Sequence, residues 1–164
     1  MPPALHVILV NPEIPPNTGN VARLCAATQT ALHLVHPLGF STDDRHLRRA
    51  GLDYWEHVRV HHHGSLEDAL AASGAGAVFY YSARAERPYD RAPYAAGSRL
   101  VFGPETRGLP PELLAAHAAS CYRLPIWGPV RSINLSTAVG VVVYEAYRQL
   151  GAWDEAGLSC GSRE

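Results

Sequence analysis

Three segments of this chain combine glycine, proline, asparagine and arginine in spacings suited to a ligand site. Each follows a short apolar run. They are Asn11-Pro12-Glu13-Ile14-Pro15-Pro16-Asn17-Thr18-Gly19-Asn20, then Phe102-Gly103-Pro104-Glu105-Thr106-Arg107-Gly108-Leu109, and last Leu124-Pro125-Ile126-Trp127-Gly128-Pro129-Val130-Arg131-Ser132-Ile133-Asn134-Leu135-Ser136. Glycine lets backbone approach a ligand closely, and proline fixes a loop without moving parts. In an open α/β sheet, ligands gather where strands end and helices begin. Three such loops predict one shared pocket.

The polar residues in these loops allow several roles. Asn17 and Asn20 can cap a helix or touch a substrate, and Ser136 suits the cap of the last helix. Glu105, acceptor-only when ionised, suits anchoring loop amides or an arginine. Arg131 is placed to clamp a phosphate, and Trp127 is the one aromatic in the third loop available for stacking on a base. Outside the loops, Arg45, His46, Arg48 and Arg49 make the one dense basic segment; as a helix, 45, 48 and 49 share a face that fits an RNA backbone or simply faces solvent. His61-His62-His63 is a poor chelate, because neighbours on a strand point to opposite faces, and no metal is expected. No histidine stands beside a serine or cysteine nucleophile motif, so hydrolase chemistry has little support.

The net charge is −1 over 164 residues, yet all fourteen cationic residues are arginine. Nucleotide bias explains this blandly. Arginine is also the side chain that grips phosphate bidentately and stacks on bases, and a neutral total does not exclude a basic face. Cys25, Cys121 and Cys160 show no metal or disulfide spacing, which fits a reducing cytosol. No apolar run approaches a membrane span, and a strand begins too early for a signal peptide.

The elements that must position the loops alternate in type. Residues 5–10 read as a buried strand, 17–28 as a helix with Val21, Leu24, Cys25 and Thr28 on one face, and 31–35 as a strand. A short charged helix over 43–50, a minor strand over 58–61 and a helix from a capping-box-like Ser65 to Ala72 follow. Strands are expected at 77–81, 99–102 and 122–124, a helix from Pro110-Pro111 to about 118, and a long helix over 135–150 stopped by Gly151. This predicts an α/β fold, a mostly parallel sheet with helices on both faces. Residues 1–151 form one expected domain and 152–164 a flexible tail.

The three loops, in this order and spacing, resemble the SPOUT superfamily of RNA methyltransferases, above all its tRNA cytidine/uridine-34 2′-O-methyltransferase branch. Arg48-Arg49-Ala50-Gly51-Leu52-Asp53-Tyr54 adds to the likeness, which runs from about residue 5 to 151. A GxGxxG motif after the first strand, the Rossmann signature, is absent. The resemblance implies a C-terminal deep trefoil knot, a cytoplasmic homodimer, S-adenosylmethionine as cofactor and methyl transfer to the ribose 2′-hydroxyl of the tRNA wobble nucleotide. The alternatives are another tRNA or rRNA position, or a non-catalytic RNA-binding module of the same fold.

By matching motif positions, the resemblance assigns Tyr81, Gly103, Glu105, Leu124, Ile126 and Ser132 to the cofactor, with Tyr81 contacting it through backbone. It assigns Arg23, Ser132 and Asn134 to catalysis. Asn17, Arg45, Arg48, Arg131 and Tyr144 are assigned to substrate, with Tyr144 alternatively in dimer packing. The family proposal makes Arg23 the base, but a guanidinium stays protonated, so orienting the hydroxyl and a neighbouring phosphate is the better role.

Overall fold

The computed structural model describes residues 5–42 and 55–152. The apolar run Leu5–Val10 forms β1, and Pro15–Thr28 forms α1. β2 (Ala31–Val35), β3 (Val60–His63), α2 (Leu66–Ala72), β4 (Val78–Tyr81) and the two-residue β5 (Arg87–Pro88) follow. β6 (Ser98–Phe102), α3 (Pro111–Ala116), β7 (Cys121–Arg123) and α4 (Leu135–Gln149) complete the order.

All seven strands join one sheet in the order β3-β2-β1-β6-β4-β7-β5, and every pairing is parallel. The sheet is therefore wholly rather than mostly parallel. Strand side chains alternate between its faces. Leu5, Val7 and Leu9 pack with Val21, Ala22 and Cys25 of α1 and with Val139, Val142 and Val143 of α4. Ile8, Val10 and Val35 face the other way, toward Ala69 of α2 and Leu113 and Leu114 of α3. Helices thus cover both faces, as the βα alternation implies.

Several boundaries differ from the sequence reading. α1 begins at Pro15 because prolines fit a first helical turn, where a missing N–H costs nothing, and its N-cap is Ile14 rather than Asn17. β3 lies two residues later than the pattern suggests, since its register pairs His33 with His61 and Val35 with His63. β5 carries no pattern of its own and exists because Arg87 and Pro88 pair with Tyr122 and Arg123. The Ser65 cap is as expected, with its hydroxyl accepting from the Asp68 amide at 3.1 Å. The charged helix over 43–50, with Arg45, His46, Arg48 and Arg49, and the tail from 153 fall outside the described residues.

Because the strands are parallel, their carboxyl ends share one edge. The segments after β1, β6 and β7 are the three motif loops, and β6, β4 and β7 are neighbours in the sheet. β7 also lies between β4 and β5, inside the connection that runs from β4 to β6.

Candidate active site

The first loop is pinned from three directions. At its start, Asn11 takes a left-handed φ of 49°, a conformation asparagine tolerates better than most residues. Its side-chain amide donates to the carbonyls of Val35 at 3.3 Å and Pro37 at 3.2 Å. Gly39 donates to the Pro12 carbonyl, and a Cβ at Gly39 would lie 2.8 Å from the Glu13 Cα, so only glycine fits against this loop.

The second attachment crosses to loop two. The Glu105 carboxylate accepts from the backbone amides of Glu13 (3.0 Å to Oε2) and Ile14 (2.5 Å). In return the Glu13 carboxylate accepts from the Thr106 amide at 3.2 Å and the Thr106 hydroxyl at 2.7 Å. This clasp joins residues more than ninety positions apart and places a negative charge where α1, which has no acid in its first turn, begins. The Thr106 hydroxyl, then its amide, hold the Glu13 carboxyl below its ordinary value. Burial pushes the Glu105 carboxyl up, opposed by the amides of Glu13 and Ile14.

The third attachment reaches loop three. Asn134 is the N-cap of α4, its carbonyl oxygen accepting from the amides of Ser136 and Thr137. Its amide nitrogen donates to the Asn17 side-chain oxygen at 3.0 Å. Asn17 is therefore not a cap but a buried link between helix starts. The cap expected of Ser136 falls to Asn134, to which the Ser136 hydroxyl donates.

Loop two owes its shape to its glycines. Gly108 has a φ of 68°, and a Cβ at Gly103 would lie 2.4 Å from backbone atoms of Gly108 and Leu109. The close approach that needs Gly103 is thus made by the loop folding on itself. Two cavities of about 540 Å³ each flank this loop. One lies against Asn11, Glu13, Leu38 and Pro104, the other against Ser82, Arg84, Arg87 and Cys121, and both touch Arg107 and Gly108.

The remaining assigned residues are distributed as follows. Tyr81 turns its ring into the core, stacked on Phe102 with centroids 4.6 Å apart, and its hydroxyl lies 2.8 Å from that of Tyr94. Tyr94 spends its one proton on the Tyr89 carbonyl, so Tyr81 is the donor in this pair. Only the Tyr81 backbone remains for a ligand. Leu124 and Ile126 are half-buried, and neither they nor Ser132 line either cavity; Leu124 packs instead on the core. Arg131 and Ser132 are exposed. Arg23 is exposed on α1 with Asn20, on the face opposite the buried Val21, Ala22 and Cys25. Tyr144 is half exposed on α4 between buried Val143 and Ala146. Arg45 and Arg48 lie outside the described residues. Glu13, Thr106 and Arg107 were not singled out from sequence, although an acid in a proline-rich loop is the signal that marks Glu13.

Cys25 and Cys121 are buried small side chains, as expected, and burial pushes the Cys25 thiol up to about 12. Among the described residues no group of histidine, cysteine or acid side chains is arranged to hold a metal ion, and no helix is long and apolar enough to cross a membrane.

A parallel sheet with helices on both faces and clasped loops at its carboxyl edge is an α/β architecture of the class in which ligand crevices lie outside the strand ends. The chain belongs to the SpoU rRNA methylase family, whose model matches residues 4–144. It is 48% identical over 148 residues to the tRNA (cytidine(34)-2′-O)-methyltransferase of Escherichia coli (strain K12), covering 90% of this chain and 94% of that one. A solved structure concerned with 2-OH methylation of C/U34 on tRNA is 50% identical, with a TM-score of 0.86 over 93% of this chain and 99% of the other. The AdoMet-bound rRNA methyltransferase of Sinorhizobium meliloti is 26% identical, with a TM-score of 0.79 over 92% of this chain and 58% of that one.

Proposed function

We propose that the protein transfers a methyl group from S-adenosylmethionine to the ribose 2′-hydroxyl of the tRNA wobble nucleotide, cytidine 34 or uridine 34. The observation that carries this reading is the joining of all three motif loops at one sheet edge, through Glu13, Glu105, Thr106, Asn17 and Asn134. The 48% identity to a protein named for this activity supports the position on the tRNA.

The residues present fit the cofactor. Gly103, where a side chain would strike the loop's own backbone, keeps loop two compact; half-buried Ile126 would offer an apolar wall, with whatever of Leu124 the core leaves uncovered, and exposed Ser132 would offer a hydroxyl. Tyr81 would contribute backbone, and Glu105 would act indirectly, since its oxygens already hold loop one. When bound, the cofactor supplies an electrophilic sulfonium methyl.

What the chain itself does is orient the acceptor. Arg23, permanently protonated, stabilises negative charge developing on the ribose oxygen and holds the adjacent phosphate. Arg131 grips a second phosphate. Asn134, fixed to Asn17, keeps loop three in register with α1, and Ser132 bridges cofactor and substrate. The proton leaves to phosphate or water. Alignment of this kind accounts for much of the rate of an in-line displacement.

Two further features belong to the same reading. β7 lying inside the β4–β6 connection supports a knotted C-terminal half. Val141 and Tyr144, both exposed on α4, support a homodimer through the α1–α4 side, in the cytoplasm, where buried thiols such as Cys25 stay reduced. Light scattering at micromolar concentration would return a dimer mass; a monomer mass refutes that element.

The test is to incubate the purified protein with S-adenosylmethionine and a tRNA transcript bearing cytidine 34, then map 2′-O-methylation by mass spectrometry. Methyl at ribose 34, with Arg23→Ala slower by about 100-fold, is the expected result. Methyl at another position, or an Arg23→Ala rate equal to that of the parent, refutes it.

A further inference from the structure

Trp127 is 92% exposed, the most exposed large apolar side chain among the described residues, and Val130, three positions on, is 60% exposed. A single exposed apolar side chain needs no explanation by itself, but an indole offers a large flat face on which a base can stack. Its loop is stiff, with Pro125 on one side and Pro129 on the other, so the ring is displayed at little cost in conformational freedom. Arg123 and Arg131, four residues before and four after it in sequence, are both exposed. The same loop carries Ser132 and is tied to α1 through Asn134 and Asn17.

An exposed aromatic face on a segment that also carries exposed arginines matches the two parts of a single-stranded nucleotide: a π-surface that stacks and a phosphate that pairs. A second protein copy is a poorer fit, because Arg131 would have to be desolvated without a phosphate to pair with. The apolar surface suited to a second copy lies elsewhere, on α4 at Val141 and Tyr144.

We infer that Trp127 is a substrate-positioning residue, a stacking platform for an unpaired RNA base adjoining the methylated nucleotide, with Arg123 and Arg131 on its phosphates. This rests on the proposed reaction for the identity of the RNA, but stacking is measured independently of turnover. Trp127 touches the RNA alone and holds the anticodon loop in place, so it governs affinity rather than the chemical step.

The experiment uses the full chain and a tRNA transcript with cytidine at position 34. Tryptophan emission is followed on titrating RNA, and KM and kcat are measured for Trp127→Ala, Trp127→Phe and the control Trp55→Phe. RNA is expected to quench emission in the parent and in Trp55→Phe but not in Trp127→Phe. Trp127→Ala raises KM about tenfold with kcat within about twofold, and Trp127→Phe recovers most of the loss. Quenching that survives Trp127→Phe, or an unchanged KM in Trp127→Ala, overturns the inference even if ribose 34 is methylated. Loss of the dimer mass in Trp127→Ala overturns it in favour of a protein interface. RNA that quenches through Trp127 without methylation at ribose 34 upholds the stacking and refutes the proposed reaction instead.

Discussion

The carboxyl edge of the sheet and its β2–β3 flank both gather polar side chains, and they tie them in opposite ways. At the carboxyl edge, unlike groups meet: carboxylates of Glu13 and Glu105 accept from amides and a hydroxyl of the facing loop. At the flank, like groups meet. His33 lies between His6, at 3.1 Å, and His63, at 2.9 Å, with His61 stacked on it at 4.8 Å. A neutral imidazole has one donor and one acceptor, so buried His33, with both ring nitrogens engaged, has nothing left for a ligand. The clasped edge leaves Arg131 and Ser132 exposed. Polar density alone therefore does not mark a site; what matters is whether the bonds position side chains that still have hydrogen bonds to give.

The largest effect that would break this contrast is expected at Gly103. An added Cβ would lie 2.4 Å from Gly108 and Leu109 backbone, which cannot yield as a side chain can. Gly103→Ala should cost about 3 kcal/mol or more, lower Tm by about 6–12 °C, and abolish detectable cofactor binding by calorimetry. Normal binding would show that loop two can be rebuilt without losing the site.

Glu105→Ala comes next. It leaves the Glu13 and Ile14 amides without their acceptor, at about 1–3 kcal/mol, and frees loop one, so the methylation rate should fall at least tenfold. Glu105→Gln, with one acceptor oxygen in place of two, should lose roughly half the stability increment. Equal behaviour of both variants would mean that the clasp is not what aligns the loops.

The flank should respond to pH and not to substrate. Burial, then the neighbouring imidazoles, lower the His33 pKa from 6.5 to about 3, and burial lowers those of His6, His62 and His63 as well, with Arg99 adding to His6 and Asp68 opposing at His63. The unfolded chain thus binds protons that the folded chain refuses, and stability falls as pH drops below about 6.5. One proton so coupled changes stability by about 1.4 kcal/mol per pH unit. Tm should fall by about 3–5 °C per unit between pH 6.5 and 5. His33→Leu should flatten that slope while leaving the methylation rate at pH 8 within about twofold of the parent. A loss of rate would join the flank to the site.

The contrast also marks what could be read from residues alone. Loop positions were legible because glycine and proline answer to backbone demands that are local, as at Gly108 with its positive φ. Glu105 was legible as an anchor for loop amides. Its partners were not, since Glu13 and Thr106 meet only because β1 and β6 are neighbours, and strand order is set by the whole sheet. The histidine run shows the same boundary. That His61 and His63 point away from His62 follows from strand geometry, but that His33 and His6 wait on one face and His36 on the other needed the register. Of the two roles open to Asn17, cap or substrate contact, the cap fails because its side chain is bonded to Asn134, 117 positions away.

That last pair offers the smallest and sharpest prediction, because Asn134 does two jobs that can be separated. Its oxygen caps α4 and its nitrogen holds Asn17. Asn134→Ala removes both and should cost about 1 kcal/mol from the cap, a Tm loss of about 2–4 °C. Asn134→Ser restores a good cap, yet its hydroxyl is too short to reach Asn17, so Tm should return while the methylation rate stays several-fold low in both variants. If serine restores the rate along with the melting temperature, the cap alone matters and the bond between loops one and three plays no part in aligning the acceptor. If the rate stays low with the cap restored, the link from loop three to α1 is what carries Arg23 into register with the substrate.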